Sequence, residues 1–139
     1  MAVCTPDANF YTIEGRKYDR VTHILGSVFR KEGLERWRGR VGNEEADRIM
    51  ETSAARGTRI HDACAGILER LDLAENPIPD VSHMAEDEAA CVVQFLQWAR
   101  ARVSRVIAVE RTVYSDRDGC AGTADAILRF GRDCFESVV

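Results

Sequence analysis

The chain has 139 residues, 45% of them apolar and 30% charged, with a formal net charge of −4 and a pI of about 5.4. That length suits one domain, residues 1–139, with a hydrophobic core that needs no staples. The acidic balance argues against whole-surface nucleic-acid binding. No apolar run approaches the ~18 residues of a membrane span, and residues 1–19 lack the basic-then-apolar order of a signal peptide, so the expectation is a cytoplasmic protein with no membrane partner.

Residues 1–20 are mixed and polar, hold Tyr11 and Tyr18 without a clear period, and read as a flexible lead or a short extended segment. Val21-Thr22-His23-Ile24-Leu25-Gly26 is a short apolar stretch with Thr22 placed to cap a helix. Leu34, Trp37 and Val41 recur at helical spacing, and Gly42 breaks that helix. Asn43 caps the next, which runs to about residue 55 with Glu44, Glu45 and Asp47 in its first turn, where the helix dipole favours acids. Gly57-Thr58 precedes a further helix whose apolar stripe is Ile60, Cys64, Ile67, Leu68 and Leu71. Residues 74–80, with Pro77 and Pro79, form a loop. Ser82 caps a long helix with Glu86 and Glu88 early and Arg100 and Arg102 late, and an apolar face of Met84, Cys91, Val92, Phe95, Trp98 and Ala99.

After Arg105 the pattern changes. Residues 106–114 are β-branched and aromatic, 115–119 form a turn, 120–130 a second strand, 131–133 a second turn, and 134–139 begin a third strand. The predicted class is α+β of the sandwich type, with residues 20–104 mainly helical and 105–139 a β-meander.

The five cysteines are widely spaced, with no Cys-x-x-Cys, so neither a disulfide framework nor a zinc site is expected. Cys64 and Cys91 read as core thiols. Arginine outnumbers lysine 17 to 2, and Arg30, Lys31, Arg36, Arg38, Arg40, Arg48, Arg56 and Arg59 crowd one stretch. Such a cluster can track a phosphate backbone. From charge alone the favoured reading is a solvated face paired with Glu35, Glu44, Glu45 and Asp47.

Three residues carry the candidate chemistry. Asp125 interrupts the otherwise apolar run Ala124, Ala126, Ile127, Leu128. A buried carboxylate there needs a partner or a metal, whereas a strand-edge aspartate would face water. Glu110 sits similarly in the preceding strand. Pairing about Arg117 places it opposite Ala124, one residue short of Asp125, and turn type can shift that register. Two carboxylates so close repel unless a cation or proton lies between them; an ion pair of Glu110 with Arg111 or Arg129 is the competing reading. His61 lies one turn into its helix, as a metal ligand or as a packed or capping residue. An imidazole with two carboxylates suits Mg²⁺ or Mn²⁺.

Taken in order, Gly57-Thr58-Arg59-Ile60-His61 before an apolar helix, Val109-Glu110, and Ala121-Gly122-Thr123-Ala124-Asp125-Ala126-Ile127 resemble the PD-(D/E)XK nuclease superfamily. The similarity is to its RecB-like branch, which includes phage exonucleases and the mitochondrial genome maintenance exonuclease. Arg20-Val21-Thr22-His23-Ile24-Leu25 resembles the branch's V-T-x-I-L segment, and Leu34-Glu35-Arg36-Trp37-Arg38 its L-x-x-W helix. The resemblance covers about residues 18–139. It implies a restriction-endonuclease-like core and metal-dependent hydrolysis of DNA phosphodiesters, in repair or recombination or in a phage. Asp125, Glu110 and His61 would be the catalytic and metal-binding residues. Arg36, Arg38, Arg40, Arg56 and Arg59 would contact DNA, as a single strand or a duplex end.

The family's next motif, Asp/Glu-x-Lys, has no counterpart here. Cys134-Phe135-Glu136-Ser137-Val138-Val139 offers Glu136 without x-Lys, and no lysine follows Lys31. Arginine could replace that lysine's charge but not its proton chemistry. The expectation is therefore little or no hydrolysis by this chain alone. It would be a cut or truncated nuclease, a nuclease-fold DNA-binding or protein-inhibitory module, or a protein completed by a partner chain. A piece of a nuclease is the favoured reading, because Val138-Val139 stops in mid-strand. An edge left there predicts self-association.

Overall fold

The computed structural model describes residues 4–7, 9–29, 31–72, 78–131 and 136–138. Among these residues four helices and a six-stranded mixed sheet give the α+β class read from the sequence. The order of elements departs from helices-first. Strands β1 (Cys4–Pro6), β2 (Phe10–Ile13) and β3 (Arg16–Arg20) precede every helix, so the polar lead is folded rather than loose. Its organising feature is the turn Glu14-Gly15, where both residues have positive φ (51° and 80°), the backbone twist that closes two-residue hairpins. Tyr11, Ile13 and Tyr18 then bury together with Ala121. Asp116 Oδ1 accepts hydrogen bonds from the Tyr18 hydroxyl at 2.7 Å and from Arg16 Nη1 at 2.8 Å, which ties this hairpin to a turn some hundred residues later.

Helices α1 (Val21–Val28), α2 (Glu32–Val41), α3 (Asn43–Asp72) and α4 (Glu86–Arg102) follow. Arg20, not Thr22, occupies the N-cap of α1, with no side-chain cap. Helix α2 ends as expected at Gly42, whose φ of 91° suits only glycine and whose N–H donates to the Arg38 carbonyl at 2.9 Å.

Gly57 does not divide two helices: α3 runs unbroken through it. An internal glycine costs about 1 kcal/mol, less than the packing around it returns. Ile67 of α3 buries with Val92 and Leu96 of α4, and Arg56 pairs with Asp87 at 2.8 Å. Helix α4 starts at Glu86 rather than at Ser82, because the Ser82 hydroxyl donates to Asp80 in the preceding loop at 2.7 Å. Ala85 holds the N-cap, and its N–H donates to Glu88 Oε2 at 3.4 Å.

Glu88 is the one buried charged residue among those described. It receives two N–H groups of Arg59 from α3, and that bonding holds its carboxyl below the ordinary glutamate range. A depressed folded pKa means stability that is present above the unfolded value, about 4.3, and lost as pH falls through the folded one. The melting temperature should therefore decline on acidification below about pH 4.3, and Glu88→Gln should flatten that decline. Thermal melts between pH 7 and 3 check this, and matching acid profiles would rule it out.

The main core holds Leu68, Ala99, Val106, Ala126 and Leu128, joining α3 and α4 to the sheet. Cys91 is exposed, which corrects its assignment as a core thiol; Cys64 is half-buried, and burial pushes its thiol pKa up.

Strand β5 (Cys120–Phe130) has the expected bounds, and β4 begins earlier than expected (Val103–Ser115). β5 is central. β4 runs antiparallel along one edge. On the other edge β3 pairs in parallel at Cys120 and Ala121, and β6 (Glu136–Val138) pairs antiparallel at Ile127, Leu128 and Arg129. The third strand thus exists over 136–138. Residues 132–135 and 139, with Arg30 and residues 74–77 of the expected loop, lie outside the described residues. Among the described residues no helix is long and apolar enough to cross a membrane.

Candidate metal centre

Helix α3 brings His61 over the β4–β5 hairpin. The pairs Val109↔Ala126 and Arg111↔Ala124 bracket Glu110 and Asp125, so those two stand level. The offset expected from a turn centred on Arg117 is removed by a four-residue turn, 116–119, closed by Ser115↔Cys120 and Gly119 at φ 65°. Bulges between Val103 and Arg105 and between Val106 and Ala108 set the rest of the register.

Glu110 itself has φ 49°. A non-glycine residue in this left-handed region inside a strand is strained, and such outliers gather at functional sites.

The three side chains converge. His61 Nε2 lies 3.2 Å from Glu110 Oε1 and 3.6 Å from Asp125 Oδ1, and one donor atom from each residue lies within 4.8 Å of the others. Donors at 2.0–2.1 Å from a Mg²⁺-sized ion are about 3 Å apart in adjacent octahedral positions. The donor set therefore fits one small divalent cation after a modest closing movement. Asp62 Oδ1 stands 3.7 Å from His61 Nδ1, too far for a hydrogen bond.

Asp125 is 61% exposed, which corrects the reading of it as a carboxylate forced into a buried strand: Ala124 and Ala126 are buried, and the acid opens to solvent beside His61. Next to the three donors lies a small apolar recess of about 140 Å³ lined by Cys64, Leu68, Phe95, Trp98 and Leu128. Apolar walls exclude water from one side of the donors and strengthen their pull on a cation.

The five arginines assigned to DNA do not form one free face. Arg38 pairs with Asp47 at 2.7 Å, Arg56 with Asp87, and Arg59 with Glu88. Arg36 donates to the Glu32 carbonyl at 3.3 Å, and Arg36 and Arg40 border a separate depression with Gly33. The Arg59–Glu88 pair escaped the sequence reading, although Glu88 falls on the stripe of Met84, Val92 and Phe95, where a carboxylate signals a buried partner. A larger groove of about 810 Å³ meets the cluster at Glu110 and is lined in part by Arg20, Val113 and Tyr114. Those residues come together only through the pairing of β3 with β5, which no local sequence signal announces.

No protein-family model matches the chain, and neither a curated protein nor a solved structure matches it.

Proposed function

We propose that this chain is a domain of the metal-dependent DNA exonuclease lineage, of the RecB-like PD-(D/E)XK kind, that takes Mg²⁺ or Mn²⁺ at His61, Glu110 and Asp125. One observation carries the reading: the three residues singled out by separate motif segments meet within a few ångströms. A bound cation would polarise a phosphate and lower the pKa of a water. The chain's own residues supply the rest. Two carboxylates provide the negative charge that recruits a divalent ion, His61 offers Nε2 as the third donor atom, and Arg36 and Arg40 on exposed α2 meet backbone phosphates.

A second reading is a nucleic-acid-binding or inhibitory module that keeps the site without turnover. It is favoured by the make-up of the cluster: among the described residues its donors are His61, Glu110 and Asp125, and Lys17, one of the chain's two lysines, lies over the Phe10 ring, 4.8 Å from its centroid. Incubation with end-labelled single-stranded DNA and Mn²⁺ separates the two. The expected result is slow, EDTA-sensitive cleavage or retention without cleavage, the latter assigning the module. Absence of both cleavage and retention would remove DNA from the proposal.

A further inference from the structure

The groove beside Glu110 combines features that the metal cluster does not use. We infer that it is the seat of an unpaired nucleotide of a DNA strand, with the base on the exposed face of Tyr114 and a phosphate at Arg20. This rests on the metal-dependent DNA reading above and deepens it.

The size is right, since about 810 Å³ lies within the ~300–1,000 Å³ of ordinary ligand sites. The walls are mostly apolar, from Val21, Val113, Ala121, Gly122 and Ala124. Tyr114 is 50% exposed, while its ring is held against Tyr18 at 5.2 Å between centroids. A ring fixed on one side and open on the other is a stacking platform, which serves any base.

The charge is also complementary. Arg20 donates to the Asp7 carbonyl at 3.1 Å and lies over the Tyr11 ring, 5.4 Å from its centroid. Neither contact neutralises its guanidinium. Arg20 also leads into α1, whose first turn holds no acid and no side-chain cap, so the helix dipole adds to the same positive end. An apolar slot with an aromatic platform and a positive rim selects an anion with a flat, weakly polar part. Continuity selects the strand over a free nucleotide: Glu110 lines both the groove and the metal recess, so a chain leaving the groove passes the three donors.

The test is fluorescence anisotropy of a labelled ten-residue oligothymidylate in EDTA, with Mn²⁺ uptake measured separately on each protein. Tyr114→Ala should weaken binding about five- to tenfold, and Tyr114→Phe should leave it near wild type. Arg20→Gln should reduce the slope of log affinity against log salt by about 0.7. Gly122→Leu offers a second handle. A Cβ at residue 122 would meet only Val21, at an ordinary 3.7 Å, and both residues line the groove, so a longer side chain there narrows it and binding should fall here too. Unchanged affinity in both folded Tyr114→Ala and Gly122→Leu overturns the inference, even if Mn²⁺ binds. Competition by thymidine monophosphate as effective as by the oligonucleotide, at equal nucleotide concentration, also overturns it. Groove-dependent binding in a protein that takes up no Mn²⁺ keeps the groove and removes the metal reading.

Discussion

Asp125→Ala is expected to lower Mn²⁺ affinity at least a hundredfold. Loss of a residue that merely orients a ligand costs ~10- to 100-fold, and Asp125 is one of three donors that the described residues bring to the cluster. His61→Ala and Glu110→Ala should act similarly, and double variants should add little, because two donors no longer form a site. Arg117→Ala, with Arg117 94% exposed in the hairpin turn, serves as the control. Thermal stability gives an independent readout. Saturating Mn²⁺ at a hundred times its Kd stabilises a folded protein by about 2.7 kcal/mol, and that gain should vanish in Asp125→Ala. Without metal the same variant should melt no lower than the wild type, because it removes one of two facing carboxylates. Isothermal titration and melts with and without Mn²⁺ measure both effects. Retained affinity in Asp125→Ala would place the ion elsewhere.

Leu128→Ala should have the largest effect on folding. Leu128 is 1% exposed and packs with Leu68, Ala99, Val106 and Ala126 where the helices meet the sheet. Emptying such a position costs about 2–5 kcal/mol. For a chain of this size that is a drop in melting temperature of roughly 10 °C. Leu128 also lines the recess beside the donors, so the variant should weaken Mn²⁺ uptake while leaving all three donors in place. Denaturant melts and metal titrations on the same sample separate these effects. A shift below about 2 °C would show that the neighbours collapse into the space.

The legible parts of this fold are those where local pattern and tertiary packing agree. Alternation and turn residues fix 120–130, and the strand forms over that span. Where the two disagree, packing prevails. Gly57 is a local signal to stop, overruled by contacts between α3 and α4. Ser82 is a good cap whose hydroxyl finds Asp80 first. The N-terminal hairpin was hidden for another reason: its strands are short and carry Arg16, Lys17, Asp19 and Arg20, so no hydrophobic period shows, and only Glu14-Gly15 marks the turn. At the candidate site, residue types were legible and placement was not. The level standing of Glu110 and Asp125 depends on a half-residue shift in the turn centre, which the run Ser115-Asp116-Arg117-Asp118-Gly119 does not specify. The division of the arginines was equally hidden, since Arg56 and Arg59 find Asp87 and Glu88 across two helices.

The left-handed backbone at Glu110 sets two selective pressures against each other. Glycine would adopt φ 49° with no steric cost, and relief of such strain is of order 1–3 kcal/mol. It would also delete the carboxylate that meets His61. Selection for stability alone would drift this position toward glycine, and selection for the cation would hold it at an acid. Glu110→Gly is therefore expected to raise the melting temperature while removing one of the three side chains that converge at His61.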